Sequence, residues 1–256
     1  MSGRFITLEG GEGTGKSTQA RRLAQHLRGL GLDVVETREP GGTPGAEALR
    51  HVILSGAAEP LGPAAEALLF AAARADHVAG LIAPALAAGK IVVCDRFIDS
   101  TRVYQGAVGA VDASLLDSLE ALSVGAVRPD LTLVLDVPPE IGLARAARRA
   151  AGAAADRFEK EGGDYHAAVR AAFLARAQAE PARCALIDAS TDADAVAAAI
   201  ADVVAARLGL GAQDLAGAQD LAGAQDLAGA QDLAGAQDLA GAQDLAGAQA
   251  IAGAGA

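Results

Sequence analysis

Residues 10–17 read Gly10-Gly11-Glu12-Gly13-Thr14-Gly15-Lys16-Ser17, a match to G-x-x-x-x-G-K-[ST]. A short apolar run, residues 4–8, precedes the match, and a segment of helical periodicity, residues 16–30, follows it. That placement constrains the fold strongly. Glycines let successive backbone N–H groups curl around an anion, and the following helix turns its positive dipole end toward the same point. Such a loop works at the carboxyl end of a parallel strand. Four further β-branched runs, at 34–37, 91–95, 131–136 and 184–188, are almost continuously apolar rather than alternating. Strands buried on both faces read this way. Helical patterns at 44–55, 63–88, 112–124, 138–150, 164–179 and 192–208 separate them. Strands alternating with helices predict right-handed crossovers and an α/β fold. The expectation is a doubly wound five-stranded parallel sheet of the P-loop NTPase type, flanked by helices, with ligands at the strands' carboxyl ends.

The chain has 256 residues, 52% of them hydrophobic, enough for a sizeable core. From Gly211 it reads GAQDLA six times, then GAQAIA and GAGA. Two domains follow as an expectation: a catalytic unit over 1–210 and a repeat tail over 211–256. Of the formal charge of −11, the six repeats carry −6, so the first unit is mildly acidic. An acidic unit without a basic face predicts no nucleic-acid partner. The longest apolar stretch, residues 78–88, is broken by Pro84 and falls short of a bilayer span. The N-terminus lacks a signal-peptide core, and Cys94 and Cys184 lack metal-ligand spacing. Together these predict no membrane association and a reducing, cytoplasmic setting.

The glycine loop predicts nucleoside triphosphate binding through Gly10, Gly11, Glu12, Gly13, Thr14, Gly15, Lys16, Ser17 and Thr18. Lys16 supplies a point charge for the outer phosphates, and the Ser17 hydroxyl ligates Mg²⁺. Glu12 would be repelled by phosphates and should face a neutral donor across the cleft; a solvated loop carboxylate is the bland alternative. Transfer to a second anion needs bridging cations. Asp95-Arg96 offers a carboxylate behind the magnesium's water and a guanidinium for an acceptor phosphate, unless the two form a structural ion pair. Arg145, Arg148 and Arg149 fall at i, i+3, i+4 on one helix face, ahead of an Ala/Gly segment and Asp156-Arg157-Phe158. They suggest an Arg-rich lid over 138–163, or merely a solvated basic face. Phe70 and Arg74, at i and i+4, could stack on and bond a base, although a core role for Phe70 is as natural. Thr101, Tyr104 and Gln105 could be ordinary helix-start residues.

Taken together, these segments resemble bacterial thymidylate kinase over residues 3–208. FITLEGGEGTGKSTQ, TREPGGTPGAEALR (37–50), FAAARADH, DRFIDSTRVYQG (95–106) and RPDLTLVLDVPPEIGLARA (128–146) carry the resemblance. It implies transfer of the γ-phosphoryl group of ATP to dTMP with Mg²⁺, in dTTP biosynthesis, by a homodimer. On matching positions it implies that Phe70 stacks on thymine and Arg74 bonds its exocyclic oxygen. Thr101 and Gln105 would also bond the base, and Tyr104 would crowd a ribose 2′-hydroxyl. Arg96 would hold the acceptor phosphate, with Arg50 assisting and Glu39 orienting the clamp, and Glu12 would face the sugar 3′-hydroxyl. Position 13 is Gly and the loop has no Arg, which resembles members whose catalytic arginine sits in the lid. Arg149 is the first choice, with Arg145 and Arg148 in reserve; Lys16 and Arg96 complete the catalytic set.

A deoxynucleoside kinase would instead want a carboxylate beside a 5′-hydroxyl and would have less use for Arg96 and Arg50. A nucleotide-switched regulatory protein would want a motif such as N-K-x-D, which is absent. In the tail, Leu recurs every six residues, so successive Leu stand 120° apart on a helix and make no apolar stripe. One Gly per unit opposes helix further, by roughly 1 kcal/mol each. A β-helix of six-residue units would want a small residue where Gln stands, so a disordered or transiently helical tail is expected.

Overall fold

All five apolar runs become parallel strands in the computed structural model, which describes residues 3–149, 158 and 161–211. They are β1 (Arg4–Glu9), β2 (Val34–Arg38), β3 (Ile91–Asp95), β4 (Leu131–Asp136) and β5 (Cys184–Asp188). Their order in the sheet is β2-β3-β1-β4-β5, which puts β1 at the centre with the chain crossing to either side of it. The doubly wound α/β fold expected from the sequence is therefore the fold observed.

The helices are α1 (Lys16–Gly29), α2 (Pro44–Leu54), α3 (Gly62–His77), α4 (Ala83–Ala87), α5 (Ile98–Thr101), α6 (Ala113–Val124), α7 (Pro139–Arg149), α8 (Gly163–Ala179) and α9 (Ala193–Leu208). Local chemistry sets several of their starts. Asp112 accepts bonds from Ser114 N and Leu115 N at the head of α6, and Asp192 does the same for Asp194 N and Ala195 N at α9. Pro44 opens α2, where its missing N–H costs nothing. The two faces of β1 bury different residues. Ile6 and Leu8 pack with Leu23 and Leu27 of α1 and with Ile200 and Val204 of α9. Phe5, on the other face, packs with Ile82, Val92 and Phe97. Leu133 is fully buried, in register with Leu8 on one side and Ala185 on the other. Leu133→Ala therefore lowers unfolding stability by about 3 kcal/mol, read as a lower urea midpoint at unchanged slope.

Three expectations change. The helical segment 63–88 is interrupted by a π-helical turn, Val78–Ile82. Pro84 follows directly; it has no N–H to donate and its ring crowds the carbonyl four residues back, so the helix widens there. Residues 98–108 are also helical, as α5 and a second π-helical segment, Arg102–Val108, although their polar sequence shows no apolar stripe. Finally, the run Glu59–Ala87 spans 29 residues and is long and apolar enough by composition to cross a membrane. Judging apolar stretches by unbroken runs missed it, because alanines raise its hydropathy between widely spaced polar residues. Three of those polar residues turn inward, Glu66 at 3% exposed, Arg74 at 3% and His77 at 0%, while Glu59 and Asp76 stay exposed. Each of the three makes polar contacts inside the domain, as a globular core helix would.

Candidate active site

The carboxyl ends of β1 and β3 open on one crevice, because Leu8 lies in register with Asp95 and Arg96 N donates to Leu8 O at 2.9 Å. The loop from Gly10 to Gly15 leads from β1 into α1, as the motif requires. One loop glycine is dictated by a close approach. A Cβ on Gly13 would stand 1.9 Å from the Gly142 carbonyl oxygen of α7, at a φ of +69°. The packing of α7 on the loop thus excludes any side chain at position 13.

Lys16 is buried and donates to Gly11 O at 2.6 Å and to Thr14 Oγ1 at 3.4 Å. Burial, with the Arg96 charge nearby, lowers its ammonium to about 8. Ser17 Oγ donates to Asp95 Oδ2 at 2.5 Å. Asp95 is therefore not ion-paired to its sequence neighbour Arg96.

Arg96 has a φ of 70°, the left-handed region, a strain of order 1 kcal/mol that its surroundings must impose. They do so with three bonds. Nη1 donates to Gly10 O and to Ser100 Oγ, each at 3.1 Å, and Nη2 donates to Glu12 Oε1 at 2.5 Å. Its Cζ lies 5.2 Å from the centroid of the Tyr104 ring. Although burial works against its charge, Tyr104, Glu12, Asp95 and Glu9 hold the guanidinium firmly protonated. Glu12 does reach across the cleft, but to a cation as well as to a neutral donor: Tyr104 OH donates to the same oxygen at 3.2 Å. Burial raises the Tyr104 phenol well above its usual range, so it stays a donor.

Arg74 Nε donates to Glu39 Oε2 at 2.7 Å, and Nη2 donates to Phe97 O at 3.2 Å and Thr101 Oγ1 at 3.1 Å. Glu39 Oε1 also bonds His77 Nδ1 at 3.2 Å, and His77 Nε2 bonds Thr37 Oγ1 at 2.7 Å. The Glu39 carboxylate, only 6% exposed, thus holds Arg74 and His77 at the cleft wall. Arg50 Nη1 donates to Pro40 O at 2.7 Å.

These groups line one cleft of about 420 Å³. Glu12, Gly13, Gly15, Lys16, Ser17, Thr18, Glu39, Arg50, Phe70, Arg74, Asp95, Arg96, Thr101, Tyr104 and Gln105 all contribute to its wall. Phe70 is half-buried at the cleft surface, not enclosed in the core. Two expected arginines are elsewhere. Arg145 donates to the carbonyls of Ala189, Ser190 and Thr191 at 2.7, 3.1 and 3.2 Å, and exposed Arg148 Nε donates to Ala144 O at 3.2 Å. Their shared helix face lies where open carbonyls of the β5–α9 turn and of α7 itself capture them. Arg149 closes α7, but its side chain and most of the expected lid, residues 150–157 and 159–160, lie outside the described residues.

Sequence reasoning overlooked several wall and support residues. Phe158 packs against Tyr104 and Phe70, with centroids 5.5 and 6.5 Å away. Glu9 accepts from Phe97 N, Ser100 N and Ser100 Oγ at 2.8, 3.2 and 2.6 Å, fixing the turn after Arg96. Burial, together with the Asp99 charge, pushes Glu9 up to about 7. Asp99 ties that turn to Arg176 and Arg183. A carboxylate ending an apolar strand was a readable signal for Glu9. The partners of Asp99 lie some 80 positions away, and nothing local announces them.

Residues 8–200 match the family profile described as thymidylate kinase. The thymidylate kinase of Bradyrhizobium diazoefficiens is 53% identical over 206 residues, covering 80% of this chain and 90% of that protein. That of Rhodopseudomonas palustris is 56% identical over 209 residues, covering 81% and 91%. A crystal structure of thymidylate kinase from Ehrlichia chaffeensis superposes with a TM-score of 0.65 at 33% identity, covering 80% of this chain and all of that one. Profile, relatives and geometry agree: the chain belongs to the thymidylate kinase family.

Proposed function

We infer that the chain transfers the γ-phosphoryl group of ATP to dTMP, giving ADP and dTDP. The observation that carries this reading is the link through Glu12. A phosphate loop and a half-buried guanidinium, Arg96, face each other across one cleft, and a loop carboxylate holds that guanidinium in place. The loop amides and Lys16 would grip the donor phosphates. Arg96, with Arg50 on the same wall, would grip the acceptor phosphate. The acceptor is already an anion, so no general base is needed; alignment and charge neutralisation dominate. Phe70 would stack on the base and Arg74, Thr101 and Gln105 would bond its edge. Tyr104, fixed by Glu12 and by Phe158 and Phe173, would crowd a 2′-hydroxyl. Glu12 is engaged by Arg96, which argues against its serving as the base of a deoxynucleoside kinase. Arg149, at the end of α7, would be the lid arginine.

Ser17 and Asp95 fit a magnesium ion. Asp95 Oδ1 is buried without a hydrogen-bond partner while Oδ2 holds the Ser17 hydroxyl, so an acceptor is left over beside a ligand. Among the described residues no carboxylate, His or Cys cluster forms a metal cage, as suits an ion that arrives on phosphates. The ion would neutralise charge on the donor phosphates, with Ser17 as direct ligand and Asp95 on its water. A homodimer is supported by the apolar side of the Glu59–Ala87 helix, where Leu61 is 68% and Leu68 52% exposed. A cytoplasmic, reducing setting is supported by two free, buried cysteines.

A coupled assay with ATP and a panel of nucleoside monophosphates tests the assignment. ADP release is fastest with dTMP; a faster purine monophosphate would sink it. The same assay on a chain ending at residue 210 is expected to give unchanged kcat and KM, because the described wall residues run from Glu12 to Phe158 and the Bradyrhizobium diazoefficiens relative matches only 80% of this chain, over 90% of its own length.

A further inference from the structure

Glu66, Phe70 and Arg74 stand at i, i+4 and i+8 on α3, so all three share one helix face. Phe70 and Arg74 line the cleft. Glu66 lies one turn behind them, is 3% exposed, and accepts from Gln105 Nε2 at 3.4 Å. Gln105 is itself 2% exposed and lines the cleft.

An ionised carboxylate offers only acceptors, so the amide must turn its NH₂ group toward Glu66. Its carbonyl oxygen, Oε1, then faces away from the carboxylate and has no bond among the described residues. Arg74 is oriented with the same economy. Glu39 takes Nε, and Phe97 O and Thr101 Oγ1 take Nη2, which leaves Nη1 without a hydrogen-bond partner among the described residues. The cleft thus offers one donor edge, Arg74 Nη1, and one acceptor, Gln105 Oε1. A 4-keto pyrimidine presents an acceptor at O4 beside a donor at N3–H. A 4-amino pyrimidine presents the reverse order, a donor at N4 beside an acceptor at N3.

We propose that Glu66 is a positioning residue which, by fixing the Gln105 amide, makes the cleft select a 4-keto over a 4-amino pyrimidine nucleotide. Freed from Glu66, an amide rotated by half a turn would donate to N3 of the wrong base, which leaves only the meeting of Arg74 Nη1 with the N4 donor to reject it. The proposal rests on the placement of the base between Phe70 and Arg74.

Glu66→Gln tests it with nearly unchanged volume. The new amide can donate or accept, so it no longer dictates how Gln105 lies. The measurement is kcat/KM for dTMP divided by kcat/KM for dCMP, taken on the full chain with saturating ATP. That ratio is independent of the fraction of correctly folded enzyme, so partial loss of stability does not obscure it. The ratio is expected to fall by about tenfold or more, through a higher KM for dTMP and a gain on dCMP. Glu66→Asp, which keeps an acceptor-only group, is expected to retain more of the ratio than Glu66→Gln. An unchanged ratio in Glu66→Gln, including equal losses on both substrates, overturns the proposal. Phe70→Ala separates the two levels. If it leaves the KM for dTMP unchanged, the base placement itself fails; if it raises that KM while the Glu66→Gln ratio stays put, only the role of Glu66 fails.

Discussion

Arg96→Ala is expected to lower kcat/KM for dTMP by about 10²–10³-fold, read in the coupled ADP-release assay. Arg96 is where three requirements meet. Its two terminal nitrogens reach Gly10 O, Ser100 Oγ and Glu12 Oε1, so it links the phosphate loop to the turn after β3. Removing it deletes the acceptor's cation and leaves Glu12, a partly buried carboxylate, facing the incoming phosphate. The second effect turns an attraction into a repulsion, which is why the loss should exceed that of a surface arginine. Arg96→Lys keeps the charge but cannot serve three acceptors with a planar fork, so it should recover only part of the rate. Circular dichroism and melting temperature separate this from unfolding. Near wild-type kcat/KM in a folded Arg96→Ala enzyme would remove Arg96 from the acceptor site.

Lys16→Ala is expected to lower kcat by a similar 10²–10³-fold, with a raised KM for ATP. In the structure Lys16 turns onto Gly11 O and Thr14 Oγ1, inside the loop whose amides would hold phosphate. Its ammonium, lowered by burial from 10.5 to about 8, loses its proton in the free enzyme more readily than a surface lysine would. kcat/KM for ATP should therefore decline as pH rises past about 8, and Lys16→Ala should lose that limb of the profile. The linked effect on stability has the opposite sign. Between about 8 and 10.5 the unfolded chain holds a proton that the folded chain has released, so this group's contribution to stability grows as pH rises through that window. A Lys16→Ala enzyme with unaltered kcat would mean that the loop charge takes no part in transfer.

Much of this was legible in the chain because the physics behind it is local. Strands buried on both faces must be apolar throughout, so the runs at 91–95 and 131–136 announce themselves. The glycine loop needs particular residues at fixed spacing, so it reads directly. The helix at residues 98–108 was harder: its polar residues are spent on Glu9, Glu12 and the half-buried Arg176 and Arg183 rather than on an amphipathic stripe. Arg145 and Arg148, held on backbone carbonyls, show the converse. Their spacing placed them on one helix face, but spacing says nothing about which acceptors lie opposite that face.

The parallel sheet, the phosphate loop and the residue types around it follow from the order of amino acids alone, because backbone sterics and burial act over a few neighbouring residues. The pairings that give those residues their tasks were set by the packing of distant elements. Glu39 went to Arg74 and His77, Glu12 to Arg96, and Glu66 to Gln105, across separations of 35, 38, 84 and 39 positions. A buried charge takes whichever partner the fold brings within about 3 Å, and that choice is made by how the strands and helices pack, not by the order of residues along the chain.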